Sequence, residues 1–219
     1  MTSLLNLFIG LAMGLNLLAL ASSRLPSVIR AAALQGMVLG ILPLLVEGDF
    51  QWIVAVVSFG TIAVKGFVIP HLLRRALRAA NIDRELRPLI GFVPSLLLGA
   101  AATIGAVCLG GAMPLLPEHA GTDLVPRSLL VPGSFATVVA GFLMLMGRTK
   151  AISQVCGYLI LENGIYLFGL LLIHTTPLLV EAGILLDLTV AVFVIGIIMD
   201  RIQKEFDSLD TNKLTSLHE

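Results

Sequence analysis

The amino-acid sequence predicts an all-α, polytopic membrane protein with about seven transmembrane helices, its N-terminus outside and its C-terminus inside. Hydrophobic residues make up 57% of the 219-residue chain and charged residues only 13%, whereas soluble domains carry about 25% charged residues. Several apolar runs approach the ~20 residues needed to span the hydrocarbon core. Because backbone groups in that core must bond internally, such runs form helices.

Polar breaks between the apolar runs divide the chain into predicted spans. The seven spans are 3–21, 28–46, 51–72, 88–112, 128–147, 151–173 and 178–199. The breaks include "SSRLPS", the charged hairpin "RRALRAANIDRELRP" and the tight turn "GRTK", which are typical of loops. The first run lacks the basic segment of a signal peptide, so we interpret it as a retained helix.

Charge asymmetry between the loops predicts the orientation. One set of alternate loops and the C-terminal end carry Arg24, Arg30, Arg74, Arg75, Arg78, Arg84, Arg87, Arg148, Lys150, Arg201, Lys204 and Lys213. The opposite loops carry Glu47, Asp49, Glu118, Asp123 and Glu181, with Arg127 as their one base. Loops rich in Lys and Arg stay in the cytoplasm. Because the number of predicted spans is odd, an N-terminus outside places the C-terminus inside, and this agrees with the charge of the loops.

Three ionisable residues fall inside the predicted spans: Glu162, Asp187 and Lys65. Charged residues within a membrane are costly, face protein or water, and are functional candidates. Glu162 lies twelve residues after Lys150, and Asp187 lies thirteen before Asp200. At 1.5 Å per residue, both acids are roughly 18–20 Å from the inner boundary. Because two carboxylates at one depth in a low dielectric resist being ionised together, they suit proton exchange near neutral pH.

Polar or small neighbours share a helix face with each of these proton-transfer candidates. Residues four apart lie on one face of a helix. The supporting polar stripe of Glu162 consists of Gln154, Tyr158 and Tyr166. The residues on the faces of Lys65 and Asp187 are Ser58, Thr61, Gly183 and Ala191. These patterns predict that all three faces contact something other than lipid.

Other polar residues in the spans have a plainer interpretation. We interpret Asn16, Gln35, Thr103 and Thr137 as polar contacts that hold helices together. No nucleotide-binding loop, haem signature, zinc-ligand spacing or hydrolase elbow occurs in the sequence. We therefore expect no catalytic, cofactor-binding or metal-ligating residue in this chain, and no nucleic-acid partner.

The segment "GRTKAISQVCGYLILENGIYLFGLLL", followed by "VEAGILLDLTVAVFVIGIIMDRIQKEF", resembles the membrane component E of hydrogenase-4-type complexes. The last three spans also look like the NuoK (four-L) subunit of respiratory complex I. That resemblance gives Glu162 the place of the second-helix glutamate and Asp187 that of the third-helix acid, which is usually glutamate. It implies three regions: a four-helix membrane region at 1–127, a NuoK-like three-helix region at 128–205, and a polar cytoplasmic tail at 206–219.

The resemblance implies a non-catalytic subunit of a membrane-bound hydrogenase or complex-I-like oxidoreductase in a bacterial or archaeal plasma membrane. Antiporter-like and hydrogenase-like subunits would be its partners, and the nickel–iron and iron–sulfur centres would lie on those partners. The chain would help couple electron transfer to proton or sodium translocation. A stand-alone secondary transporter is the alternative, since intramembrane charges also suit that class. A purely structural anchor would leave the depth-matched acids without a role.

Overall fold

The computed structural model describes residues 2–46, 52–79, 89–112, 129–170 and 196, and every regular element in these ranges is helical. The helices are α1 (Thr2–Ala21), α2 (Leu25–Val46), α3 (Trp52–Ala63), a π-helical turn (Val64–Val68), α4 (Ile69–Ala79), α5 (Phe92–Ala112), α6 (Leu130–Gly147) and α7 (Ala151–Gly169). The π turn joins α3 to α4 without a break. The predicted all-helical class is therefore confirmed for the part of the chain described.

Within the described ranges, five helical segments are long and apolar enough to cross a membrane: Ser3–Ala21, Leu25–Val46, Val54–Arg78, Phe92–Gly110 and Leu130–Gly147. They correspond to the first five predicted spans. The sixth forms α7 as far as Gly169, but its polar residues keep its mean hydropathy below that of the other five. The seventh predicted span, 178–199, lies outside the described residues apart from Gly196.

The sequence predicts that the third span ends at residue 72, but the helix continues to Ala79. Leu73, Ala76 and Leu77 are buried at helical spacing, while the arginines between them are exposed. Buried residues three or four apart keep one face of a helix in contact with the protein. The end of α4 is thus an amphipathic extension of the span, where the sequence suggested a loop.

Two helical hairpins pack against each other to form the centre of the fold. Helix α1 packs on α2 and α2 on α7, while α6 packs on both α1 and α7. Helix α5 lies against α1 and α6, and the α3–α4 helix lies against α2. The side chains at the centre are largely aliphatic and buried.

Glycines set the close approach of α6 and α7. A Cβ atom added to Gly141 would meet the backbone of Leu161, and one added to Gly157 would lie 2.6 Å from the backbone nitrogen of Leu145. A Cβ at Gly164 would lie equally close to the backbone nitrogen of Val138. Small residues let two membrane helices pack backbone against backbone. This contact places the middle of α7 rigidly inside the bundle.

Candidate functional site

The π turn at Val64–Val68 carries Lys65. The backbone N–H of Ile69 donates to the carbonyl of Val64 five residues earlier, which is the wide hydrogen bond of a π turn. Pro70 follows directly, and a proline ring clashes with the carbonyl four residues before it, here that of Gly66. The wider turn relieves that clash.

Lys65 and Glu162 form a buried ion pair between the π turn and α7. The Lys65 Nζ donates to Glu162 Oε1 at 2.8 Å. Lys65 exposes only 7% of its surface and Glu162 only 2%. Two charges at that distance away from water attract each other much more strongly than a surface pair. Each charge also loses its hydration, so removing one of them would leave the other buried without compensation.

Two further contacts hold the lysine in place. Its Nζ lies 5.4 Å from the centre of the Tyr166 ring, within the range of a cation–π interaction. In addition, the aliphatic part of the Lys65 side chain passes close to Gly36 of α2. A Cβ atom added to Gly36 would lie 2.6 Å from Lys65 Cβ. The lysine therefore fits against α2 because the residue at position 36 is a glycine.

A row of buried amides leads away from the ion pair. Lys65 Nζ also donates to Asn163 Oδ1 at 3.2 Å, and Asn163 Nδ2 donates to Gln35 Oε1 at 3.3 Å. Gln35 Nε2 donates to Asn16 Oδ1 at 2.8 Å, and Asn16 Nδ2 donates to Thr137 Oγ1 at 2.9 Å. We call the amides of Asn163, Gln35 and Asn16, together with the Thr137 hydroxyl at their end, the amide row. It joins α7, α2, α1 and α6.

A small cavity of about 10 Å³ adjoins the ion pair. Its lining is Ile29, Ala32, Ala33, Lys65, Ile69, Pro70, Leu73, Leu159 and Asn163. That volume holds about one water molecule. Apart from Lys65 and Asn163, the lining residues all lie on the side of the pair that leads to the basic ends of α2, α4 and α7. The cavity therefore extends the polar site toward the side predicted to be cytoplasmic.

The structure brings together only part of the predicted site. Lys65, Glu162 and Tyr166 meet, whereas Gln154 is exposed and its Nε2 donates to the carbonyl of Arg148 at 3.2 Å. Tyr158 is half-buried and packs against the aliphatic core. Asp187 lies outside the described residues. The predicted four-residue stripe thus divides between the ion pair, the core and the end of α7.

The residues predicted to accompany Lys65 on its own helix are Ser58 and Thr61. Ser58 is buried, and its Oγ has no hydrogen-bond partner within the described residues. Thr61 is half-buried. The Lys65 ammonium donates across to Glu162 and Asn163 of α7. The π turn between Thr61 and the following helix makes simple four-residue spacing a poor guide here.

Sequence reasoning missed Asn163 and separated the other amides from the site. Asn163 directly follows Glu162 in the sequence. Its position as a polar amide inside a predicted span could have identified it as a candidate. The sequence predicts that Asn16, Gln35 and Thr137 are contacts between helices. They are such contacts, and through Asn163 they also connect to the ion pair. Thr103 stays apart, because its hydroxyl donates to Gly99 of the same helix at 2.8 Å.

A second buried base, Arg148, lies between α6 and α7. Its Nη2 donates to the carbonyl of Leu20 at 2.8 Å, and its guanidinium lies 4.6 Å from the Phe92 ring centre. Burial lowers the pKa of Arg148 from its ordinary value. These contacts tie the α6–α7 hairpin to α1 and α5. Among the described residues, no group of three or more His, Cys, Asp or Glu side chains is arranged to hold a metal.

The fold and the ion pair define a helical membrane protein with a salt bridge at the middle of its bundle. Within that class, the chain belongs to the hydrogenase-4 component E family. It is 30% identical to hydrogenase-4 component E of Escherichia coli (strain K12) over 160 residues, covering 73% of this chain and 71% of that protein. The same values hold for hydrogenase-4 component E of Shigella flexneri.

A relative of wider coverage comes from another bacterium. The chain is 34% identical over 198 residues to the uncharacterized protein Rv0085 of Mycobacterium tuberculosis, covering 89% of this chain and 87% of that one. No family model and no solved structure matches the chain. The predicted resemblance to component E is confirmed by these relatives, while the NuoK-like resemblance stays a prediction.

Proposed function

We propose that this chain is a non-catalytic membrane subunit of a hydrogenase or complex-I-like oxidoreductase complex, and that it helps couple electron transfer to proton or sodium translocation. The observation that carries the coupling role is the buried pair of Lys65 Nζ and Glu162 Oε1 at 2.8 Å. Membership of the hydrogenase-4 component E family supports the assignment to a hydrogenase complex.

The ion pair supplies two states that a coupling subunit needs. With Glu162 ionised, the carboxylate and the ammonium hold each other in a low dielectric. When a proton reaches Glu162, the attraction is lost and the ammonium keeps Asn163 and the Tyr166 ring as partners. Entry and loss of one proton at Glu162 therefore change how strongly α7 and the π turn are held together. A neighbouring subunit in contact with either element can sense that change.

The proton reaches the pair from the side of the small cavity. Its lining leads toward the basic ends of the helices, which the positive-inside rule assigns to the cytoplasm. Asp187, in the predicted span 178–199, is the proposed second acid. The nickel–iron and iron–sulfur centres are proposed to lie on hydrogenase-like partner subunits, and antiporter-like subunits are proposed to carry the ion onward.

Replacing the carboxyl group tests the coupling role. Glu162→Gln keeps the shape and an acceptor oxygen but removes the titration, so the complex should assemble and transfer electrons with less ion pumping. Glu162→Asp should retain partial pumping because its carboxylate is about one methylene short. Asp187→Asn should weaken pumping less than Glu162→Gln. Unchanged pumping per electron in Glu162→Gln would refute the proposed role.

Purification tests the assignment to a complex. After mild detergent extraction, the native chain should copurify with hydrogenase-like and antiporter-like subunits, identified by mass spectrometry. Membership of the hydrogenase-4 component E family favours a multi-subunit assembly. A stand-alone transporter would instead purify as an active monomer, and that result would exclude the proposal.

A further inference from the structure

The amide row has a fixed direction. Its far end is the hydroxyl of Thr137, which donates to the backbone carbonyl of Gly133 at 2.7 Å. A carbonyl only accepts, so the Thr137 hydrogen is committed to that bond. The side chain that meets Thr137 Oγ1 must then be a donor, and this places the NH₂ group of Asn16 there and its oxygen toward Gln35.

The same reasoning orients the remaining amides. Gln35 meets the oxygen of Asn16 and also the carbonyl of Ala12 at 3.4 Å, so its NH₂ group must face both acceptors. Its own oxygen then faces Asn163, which donates to it. The oxygen of Asn163 is left facing Lys65, and a lysine ammonium has no acceptor. The Gly133 carbonyl at one end and the Lys65 ammonium at the other therefore require the same orientation of all three amides, with each NH₂ group toward Thr137 and each oxygen toward Lys65.

We propose that the amide row, with Gln35 as its central positioning residue, holds Lys65 in its ammonium form while Glu162 gains and loses a proton. The inference rests on the proposed coupling function. Each amide oxygen in the row points toward the lysine end, and bonds aligned in this way polarise one another. Side-chain amides do not exchange a proton along such a row at ordinary pH. Its effect on Lys65 is electrostatic, and the group left to titrate is Glu162.

The groups around Lys65 are consistent with this division of roles. Helix α7 presents Glu162, Asn163 and Tyr166 to the lysine. Helix α2 presents Gly36, which has no side chain, and α4 lines the adjacent cavity with aliphatic residues. When Glu162 is protonated, the Asn163 oxygen still accepts from the ammonium. Only a firmly oriented Asn163 keeps that oxygen in place, and Gln35 supplies the orientation.

The pH dependence of pumping by the intact complex tests the proposal. Gln35→Met keeps the volume but removes both the acceptor for Asn163 and the donor for Asn16. The alkaline limb of the pumping profile should move to lower pH by about one unit, the size expected for weakening one hydrogen bond to a charged group. In a Lys65→Arg background the shift should disappear, because a guanidinium stays protonated throughout. Thr103→Val, which removes a hydroxyl outside the row, is the matched control.

A second measurement does not depend on pumping. Solid-state NMR of the intact complex with ¹⁵N-labelled lysine distinguishes the ammonium from the amine by the Nζ chemical shift, and it gives the pH of half-titration at Lys65. That pH should fall in Gln35→Met and stay unchanged in Thr103→Val. If Gln35→Met does not assemble, Asn16→Leu interrupts the row one step further away and should move the half-titration pH of Lys65 in the same direction.

Two results would overturn the proposal. One is an unchanged half-titration pH of Lys65 in the assembled row variants, and the other is a pumping shift that persists in the Lys65→Arg background. Failure of the coupling function is a separate result: Glu162→Gln would then pump normally, whatever the NMR titration of Lys65 showed.

Discussion

The Nζ of Lys65 lies 2.8 Å from Oε1 of Glu162, although 97 positions separate the two residues in the chain. Neither helix compensates its own charge; each depends on the other. In a buried pair, desolvation of the two groups offsets much of their attraction, so losing one partner costs more than losing both. This asymmetry gives the first prediction.

Glu162→Leu should strongly reduce the stability of the assembled complex, because it leaves the Lys65 ammonium without its carboxylate. Breaking a buried pair costs about 3–5 kcal/mol. Lys65→Met combined with Glu162→Leu should recover much of that loss while leaving ion pumping impaired. The measurement is the thermal unfolding of the solubilised complex. Equal stability of the single and double variants would show that the pair is not held as described.

Gly36→Ala should disturb the lysine with one added methyl group. The new Cβ would lie 2.6 Å from Lys65 Cβ, closer than two such carbons approach, so α2 or the π turn must shift. Pumping per electron should fall by more than the electron-transfer rate. Gly14→Ala in α1 is the matched control, since a Cβ there meets nothing within 4 Å. Equal effects of the two variants would show that the close approach of Gly36 to Lys65 does not matter for pumping.

Ala33→Val should fill the small cavity beside the ion pair. The cavity has room for about one water molecule, and added methyl groups at its wall compete for that room. If protons reach Glu162 through it, the pumping rate should decrease without loss of assembly. Ala101→Val on the exposed face of α5 adds the same volume elsewhere. Normal pumping in Ala33→Val would direct the search for a proton route to another side of the pair.

Cysteine labelling tests the predicted orientation. In a Cys108→Ser/Cys156→Ser background, a cysteine at Thr122 should react with an impermeant reagent added to intact cells. A cysteine at Arg78, next to the predicted cytoplasmic hairpin, should react only after the membrane is opened. The reason is the basic character of the loops on the Arg78 side. The reverse labelling pattern would invert the whole arrangement and place the cavity on the outer side.

The sequence by itself was enough to predict the helical membrane class and the family. Long apolar runs leave the backbone no alternative to a helix in a lipid environment, and the observed helices match most of the predicted spans. It was also enough to identify Lys65 and Glu162 as unusual, since a charge at the middle of a span is costly wherever the helix packs. Both conclusions depend on local composition, which a sequence displays directly.

Only the tertiary structure decided what those residues contact. Helical spacing tells which residues share a face, but not which face of another helix they meet. The spacing favoured Gln154 and Tyr158 as companions of Glu162, whereas packing brought Lys65 and placed Asn163 beside it. The approach of Lys65 to α7 depends on the glycines between α6 and α7, on Gly36 beside the lysine, and on the π turn that carries Lys65. These are relationships between distant segments, and their energy exists only once the helices are packed together.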